Sequence, residues 1–286
     1  NECGLSITMA EEELATFRAS AQNIRDMIQK TALGGNSDPF HSDVYLNVHD
    51  AGAVTAIGGA PGDVTQTYTT FTEPHLDDIS SEEEGGTQAI IDVADFITYG
   101  LDFASDGGEL EVALRGDPDS ELASVVEFYG AVNSRVMAPV AGDVLEEVPT
   151  GIVDNFPEGD GQYISTEKDK PFPTNIRVDV SQIQRIIEVV DHDPETDFYP
   201  VTVEDGELTL DIGRDGGRNA VWGELEANSI DGPDVNNQYK KGFEEVFKSL
   251  SGEVWLQTAP GGAPVCVAQE GQDGAVVRHV IGNMSD

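Results

Sequence analysis

One pattern of apolar and polar positions recurs four times: a short strand-like run, a polar break, then an apolar stripe at helical spacing. The four stretches are ATFRASAQNIRDMIQKTALGG (15–35), QAIIDVADFITYGLDFASDGG (88–108), NIRVDVSQIQRIIEVVDHD (175–193) and QYKKGFEEVFKSLSG (238–252). In the last, Phe243, Val246, Phe247 and Leu250 fall at i, i+3, i+4 and i+7, so they share one face of a helix. Ile24, Met27 and Ile28 form the same stripe in the first, and Ile183, Ile186, Ile187 and Val190 in the third. The second and third match most clearly, Ile91-Asp92-Val93-Ala94-Asp95-Phe96 against Val178-Asp179-Val180-Ser181-Gln182-Ile183. Such repetition fixes the architecture before local detail does.

After each stripe the period shortens to two. DVYLNVHD (43–50), ELEVALRG (109–116), ELTLDIG (207–213) and EVWLQTA (253–259) alternate apolar and polar and predict strands. Turn signals at DAG (50–52), DGG (106–108) and DGGRN (215–219) predict that strand runs are joined in pairs. The units pair into two domains, 14–140 and 166–286, preceded by an extension at 1–13 and separated by a connector at 141–165. The connector is rich in Pro, Gly and acid, as linkers are, yet Val144, Leu145, Val148, Ile152, Val153 and Phe156 are too apolar for a purely solvated tether. The fold class predicted is α+β, two similar domains with strands outnumbering helices.

Charge adds an environment to this picture. Fifteen Lys+Arg against 54 Asp+Glu give a net charge of −39, spread over the whole sequence and not gathered in a tail. A carboxylate-rich surface suits concentrated salt, where a Debye length of roughly 3 Å at 1 M screens its self-repulsion. The rival reading, a nucleic-acid mimic in ordinary cytoplasm, fits less well because a mimic does not need acid on every loop. Cys3 and Cys266 make no disulfide framework. No stretch reaches the length of a membrane span, and the first residues lack the pattern of a secretory signal, so cytoplasmic residence is expected.

Catalytic chemistry finds no purchase. His41, His49, His75, His192 and His279 are scattered. DHDPETD (191–197) reads as an acidic loop, and DIGRDGGRN (211–219) lacks the carboxylate spacing of a calcium loop. GGAPGD (58–63) has no strand-to-helix context for phosphate. What stands out is where the scarce bases fall: Arg25, Lys30, Arg185, Lys240, Lys241 and Lys248 lie in or beside three predicted helices. Lys241 and Lys248, seven apart, are expected on one helical face opposite Phe243, Phe247 and Leu250. Singly, each base reads as ordinary surface charge; together they favour a face that meets phosphates.

Strand–helix–strand units repeated four times, two domains and a partly apolar connector resemble the sliding clamps of the proliferating cell nuclear antigen family. DAGAVTAIGGAPGDVTQTYTTF (50–71) resembles the first-domain strand pair, with Ile57 before a small loop. YKKGFEEVFKSLSGEVWLQTAPGGAPVCVAQ (239–269) resembles the last helix and its following strands, and AVVRHVIGNM (275–284) the closing strand and C-terminal segment. The resemblance implies a clamp fold with sheets outside and two helices per domain on the inner face. It also implies a homotrimeric ring around duplex DNA that tethers polymerase and clamp loader through short client peptides. Such a ring is a processivity factor with no catalysis and no cofactor.

On this sequence the resemblance makes Arg25, Lys30, Arg185, Lys241 and Lys248 DNA-facing, through sequence-independent phosphate contacts. It makes Ile57, Leu145, Val148, Pro149, Val280 and Ile281 the pocket for partner peptides. It pairs about 130–138 with about 218–226 of a neighbouring subunit, Arg135 and Trp222 included, which would also cover two exposed edges. Two departures stand out: the second helix (92–103) carries no Lys or Arg, and Gly282-Asn283 replaces a Pro-basic pair. Such divergence suits a viral clamp as well as a host one, from a halophilic archaeon or its virus. The alternative is a clamp-like interaction or viral structural protein that encircles no DNA.

Overall fold

The computed structural model describes residues 12–34, 39–59, 65–72, 75–82, 86–104, 108–119, 122–131, 133–137, 164–165, 170–190, 198–212, 221–239, 242–270 and 276–283. At 135–137, 164–165, 170, 190, 221–222 and 270 it describes the backbone alone.

The first half runs β1 (Glu12–Ser20), α1 (Ala21–Ala32), β2 (Asp43–His49), β3 (Ala53–Gly58), β4 (Thr65–Phe71), β5 (Asp77–Ser81) and β6 (Thr87–Asp92). Helix α2 follows, in three parts: an α-turn at Val93–Asp95, a π-helical stretch at Phe96–Leu101 and a second α-turn at Asp102–Ala104. β7 (Glu109–Gly116), β8 (Val125–Gly130) and β9 (Ser134–Met137) complete it. After a short pair, β10 (Ile164–Ser165) and β11 (Lys170–Pro171), the second half repeats this order element by element. It runs β12 (Thr174–Asp179), α3 (Val180–Val190), β13 (Tyr199–Glu204), β14 (Glu207–Ile212), β15 (Val221–Leu225), β16 (Ala227–Asp231) and β17 (Val235–Tyr239). It ends with α4 (Phe243–Ser249), β18 (Glu253–Thr258), β19 (Val265–Glu270) and β20 (Val276–Ile281). The four predicted strand-to-helix units are β1–α1, β6–α2, β12–α3 and β17–α4.

Each unit turns from strand to helix for a local reason. Ser20 accepts from Asn23 N–H at 3.1 Å and Asp92 from Asp95 N–H at 2.7 Å, satisfying donors that the first helical turn leaves orphaned. Asp179 accepts from Ser181 Oγ–H at 2.5 Å and from Ser181 N–H at 2.8 Å, and these bonds hold its carboxyl below the usual carboxylate range. Helix α4 starts differently, at Gly242 with φ +104°, where a Cβ would stand 2.2 Å from Thr65 Oγ1. Gly100 answers a similar demand in α2: a Cβ there would lie 2.5 Å from the Phe128 ring, which packs edge-on against Phe96.

Two expectations are corrected. Residues Glu12 and Glu13 of the predicted extension are paired in β1, opposite Gly116 and Arg115. The DGG signal joins no strand pair; Gly108 follows α2 and accepts from Ala21 N–H at 3.0 Å. A turn that was passed over, Asp205-Gly206, joins β13 to β14 with both residues at positive φ, 52° and 82°.

The sheets repeat with the elements. The first half contributes β5-β1-β7-β8-β9 as one sheet, and the second contributes β15-β14-β13-β17. The remaining strands of both halves merge into one nine-stranded sheet, β16-β12-β18-β19-β20-β4-β3-β2-β6, continuous through antiparallel pairing of β20 with β4. Each half buries its own core beneath its helices, Phe17, Ile24, Met27, Phe96 and Phe128 in the first, Ile187, Tyr239, Phe243 and Phe247 in the second. Leu33 crosses over, with Phe40 packed beside the same core: Leu33 caps α1 in the left-handed region (φ 54°) and is buried in the second core. A leucine holds that conformation only where its surroundings over-determine it.

Candidate nucleic-acid and partner-binding surfaces

The bases assigned to a DNA-facing role divide sharply. Arg25, the one arginine of α1, ion-pairs with Asp102 of α2, and only 24% of its side chain is exposed. Lys30 and Lys248 occupy the last turns of α1 and α4, where unsatisfied carbonyls favour a cation whatever lies beyond. The two helix ends meet at a cleft of about 290 Å³ lined by Asp26, Gln29, Lys30, Gly34 and Ser249. The fold therefore brings Lys30 beside the C-terminus of α4, across the junction of the halves. Arg185 is exposed on α3.

Lys241 lies outside the described residues. Helix α4 begins at Phe243, with Gly242 as its N-cap. Beside Lys248 sit two carboxylates. Glu245 reaches back to Gly242 N–H at 3.1 Å, and its pKa is raised, chiefly by burial. Glu244 accepts from Tyr199 Oη at 2.6 Å. Helix α2 carries Asp95 and Asp102, is capped by Asp92 and bears no base.

Of the residues assigned to the peptide pocket, Ile57 and Val280 meet. Ile57 (6% exposed), Cys266, Tyr45, Tyr68 and Val280 cluster on the face of the nine-stranded sheet away from the helices. Tyr45 is paired with Ile57, Ile57 with Tyr68, and Cys266 with Val280. Ile281 is corrected: strand side chains alternate faces, so it turns the other way and is buried in the second core. Leu145, Val148 and Pro149 lie outside the described residues. Burial pushes the Cys266 thiol far up, which makes it packing and not a nucleophile. Tyr45 and Tyr68 were missed, although the period-2 alternation of their strands marks them for the same side as Ile57.

Arg135 lies in β9 and Trp222 in β15, and their side chains lie outside the described residues. Both strands are terminal in their sheets. Around them stand exposed hydrophobics: Tyr99 (55%) and Phe103 (51%) on α2, Tyr129 (39%) on β8 next to β9, and Val189 (57%) on α3, which packs against β15.

Neither a protein-family model nor a curated protein matches the chain. Solved structures do. A complex of A. fulgidus PCNA with the C-terminal region of FEN-1 matches with a TM-score of 0.67 at 12% identity, over 96% of this chain and 99% of that one. PCNA from Entamoeba histolytica matches with 0.68 at 13%, over 96% and 100%. The DNA polymerase III beta subunit from Thermotoga maritima matches with 0.69 at 14%, over 99% of this chain and 69% of that one. The chain has the α+β DNA-clamp fold.

Proposed function

We propose that the chain is a DNA sliding clamp, a ring of identical subunits that encircles duplex DNA and tethers polymerase and other client proteins to it. The observation that carries this is the internal repeat. Matching the halves element by element sets β9 equivalent to β20 and β15 equivalent to β4. Within the chain β20 pairs with β4 to join the halves; the equivalent strands, β9 and β15, each lie at the end of a sheet, open to pair between chains. Repeating the same joint from copy to copy is a head-to-tail contact, the type of interface from which closed rings are built when the rotation closes.

The helices support the same joint. Inside the chain the end of α1 meets the end of α4. The repeat makes α3 and α2 their counterparts, and these carry the exposed Val189, Tyr99 and Phe103. The trimer, the halophilic setting and the archaeal or viral origin belong to this reading, supported by the two-domain chain and the net charge of −39. Two domains, the first opening with β1 at Glu12 and the second at 166–286, with a connector between them complete it. So does a client-peptide site on the Ile57–Val280 surface; the similar A. fulgidus structure is of a clamp bound to the C-terminal region of FEN-1.

A nearly neutral or acidic helical face suits a ring in concentrated salt. Counterion-release affinity falls steeply there, whereas a closed ring holds DNA by topology. The competing reading, a clamp-like interaction protein without DNA, is favoured by the Arg25–Asp102 pair and the acidic α2. Sizing and electron micrographs in multimolar salt, with loading onto nicked circular DNA, decide between them. Rings retained on circles and lost on linearisation are expected. A 30.6 kDa monomer that never loads overturns the proposal.

A further inference from the structure

The junction between the halves is built unlike either core. Beneath β4 and β20, where the helices pack, it is lined by buried Thr65, Thr67 and Thr69, and by His41 and His279. Thr31 of α1 reaches across to Thr69 at 3.0 Å. His279 has no exposure at all; Nδ1 bonds with Thr67 Oγ1 at 2.9 Å, and Nε2 is buried without a hydrogen-bond partner. His41 is held edge-on to Phe40, with its backbone N–H on Ala32 O at 2.9 Å. Gly58 makes room for it: a Cβ there would come within 2.7 Å of the ring.

We propose that this seam is a proton-sensitive joint: protonating His279 opens the β4–β20 pairing while the two cores stay folded. An imidazolium donates at both nitrogens. At His279 one of them faces no acceptor, in a site with no solvent exposure, and a buried cation so placed is strongly disfavoured. The carboxylates that could compensate lie elsewhere. From the packed elements, α1 brings Arg25, Asp26 and Lys30, with Arg25 engaged by Asp102 and Asp26 and Lys30 lining the cleft; α4 brings Glu244, Glu245 and Lys248. On the same side of the junction, His41 adds repulsion once charged. β3 and β4 contribute no ionisable group here, β19 contributes Cys266 on the opposite face and Glu270 at its end, and Arg278 lies on the opposite face of β20.

The sign follows from linkage. Burial first, then His41, lowers the His279 pKa from 6.5 to about 3. Below pH 6.5 the opened seam therefore takes up a proton that the closed seam refuses. Closure is strongest above pH 6.5 and weakens as pH falls toward 3, by up to about tenfold in the opening equilibrium per pH unit. The surface acids pull the other way over their own titration range, because neutralising 54 carboxyl groups relieves repulsion. Loosening confined to the seam is therefore distinguishable from general acid unfolding.

Hydrogen exchange in concentrated salt, corrected for the intrinsic rate at each pH, tests this. Between pH 7 and 5 the amides of β4 and β20 should lose about 25-fold of their protection, most of it below pH 6, while those of β7 and β14 hold. The His279→Leu and His279→Gln variants should lose that dependence. Because either could fold poorly, the imidazole resonance of His279 in the unaltered protein is read as well. The proposal is overturned if that resonance titrates near pH 6.5 with the seam still protected. It is overturned equally if all strands lose protection together, or if a folded variant keeps the dependence.

Discussion

Arg25 of α1 and Asp102 of α2, 77 residues apart in sequence, are held together as an ion pair. The arginine that a charge census picks out as a phosphate contact is already engaged. Replacing Asp102 by Asn should release it. Since about half of the Asp102 side chain is exposed, the stability cost should stay within about 1 kcal/mol. Binding of the ring to short duplexes at low salt should tighten, and its salt dependence should steepen. Arg185→Glu should act in the opposite direction. Unchanged salt slopes in both variants would remove these residues from any DNA-facing surface.

Val280 and Ile281 are neighbours with opposite duties. Val280→Asp should weaken binding of a client peptide by tenfold or more, by placing a charge among Ile57, Tyr45 and Tyr68, and should leave the melting transition nearly unmoved. Ile281→Ala should cost about 2–5 kcal/mol, by opening a cavity in the second core. Peptide titration paired with thermal unfolding separates the two. A reversal of these phenotypes would mean that the two faces have been misassigned.

The exposed apolar groups beside the open edges give a test of assembly. Tyr99→Glu with Phe103→Glu, or Val189→Glu alone, should shift the particle toward monomer in light scattering while circular dichroism stays unchanged. Mixing the two variants should not restore the ring, because each joint needs both sides. Full assembly in both variants would refute the joint as drawn.

Gly100 bears on the shape of α2. Ala at this position is a better helix former, yet its Cβ would press on Phe128 at 2.5 Å. Gly100→Ala should therefore destabilise by about 1–3 kcal/mol, and Gly100→Ala with Phe128→Leu should recover part of the loss. A double-mutant cycle by denaturant unfolding measures this, and additive losses would exclude the contact.

Much of this architecture is legible in the sequence because periods of two and 3.6 alternate cleanly and the breaks carry Ser20, Asp92 and Asp179, good first-turn acceptors. The surfaces were harder to read. β4, TQTYTTF, inverts the usual rule: Thr65, Thr67 and Thr69 are buried in the seam, and its tyrosine lies on the other face. Val280 and Ile281 are equally apolar, and only strand register separates them. The start of α4 falls at Gly242, where the backbone is left-handed. The pairing of Arg25 with Asp102 depends on the packing of two distant helices, which no local pattern reports.

The bond between the halves has a consequence for sequence drift. β4 and β20 meet through six residue pairs, Val276 with Thr70 through Ile281 with Thr65, and what joins them is main-chain N–H and C=O. Every residue except proline carries both groups. Mutation can exchange the side chains one after another without touching the connection itself. A fold whose principal seam is written in the backbone can be shared at 12–13% identity over nearly the full length of its structural neighbours.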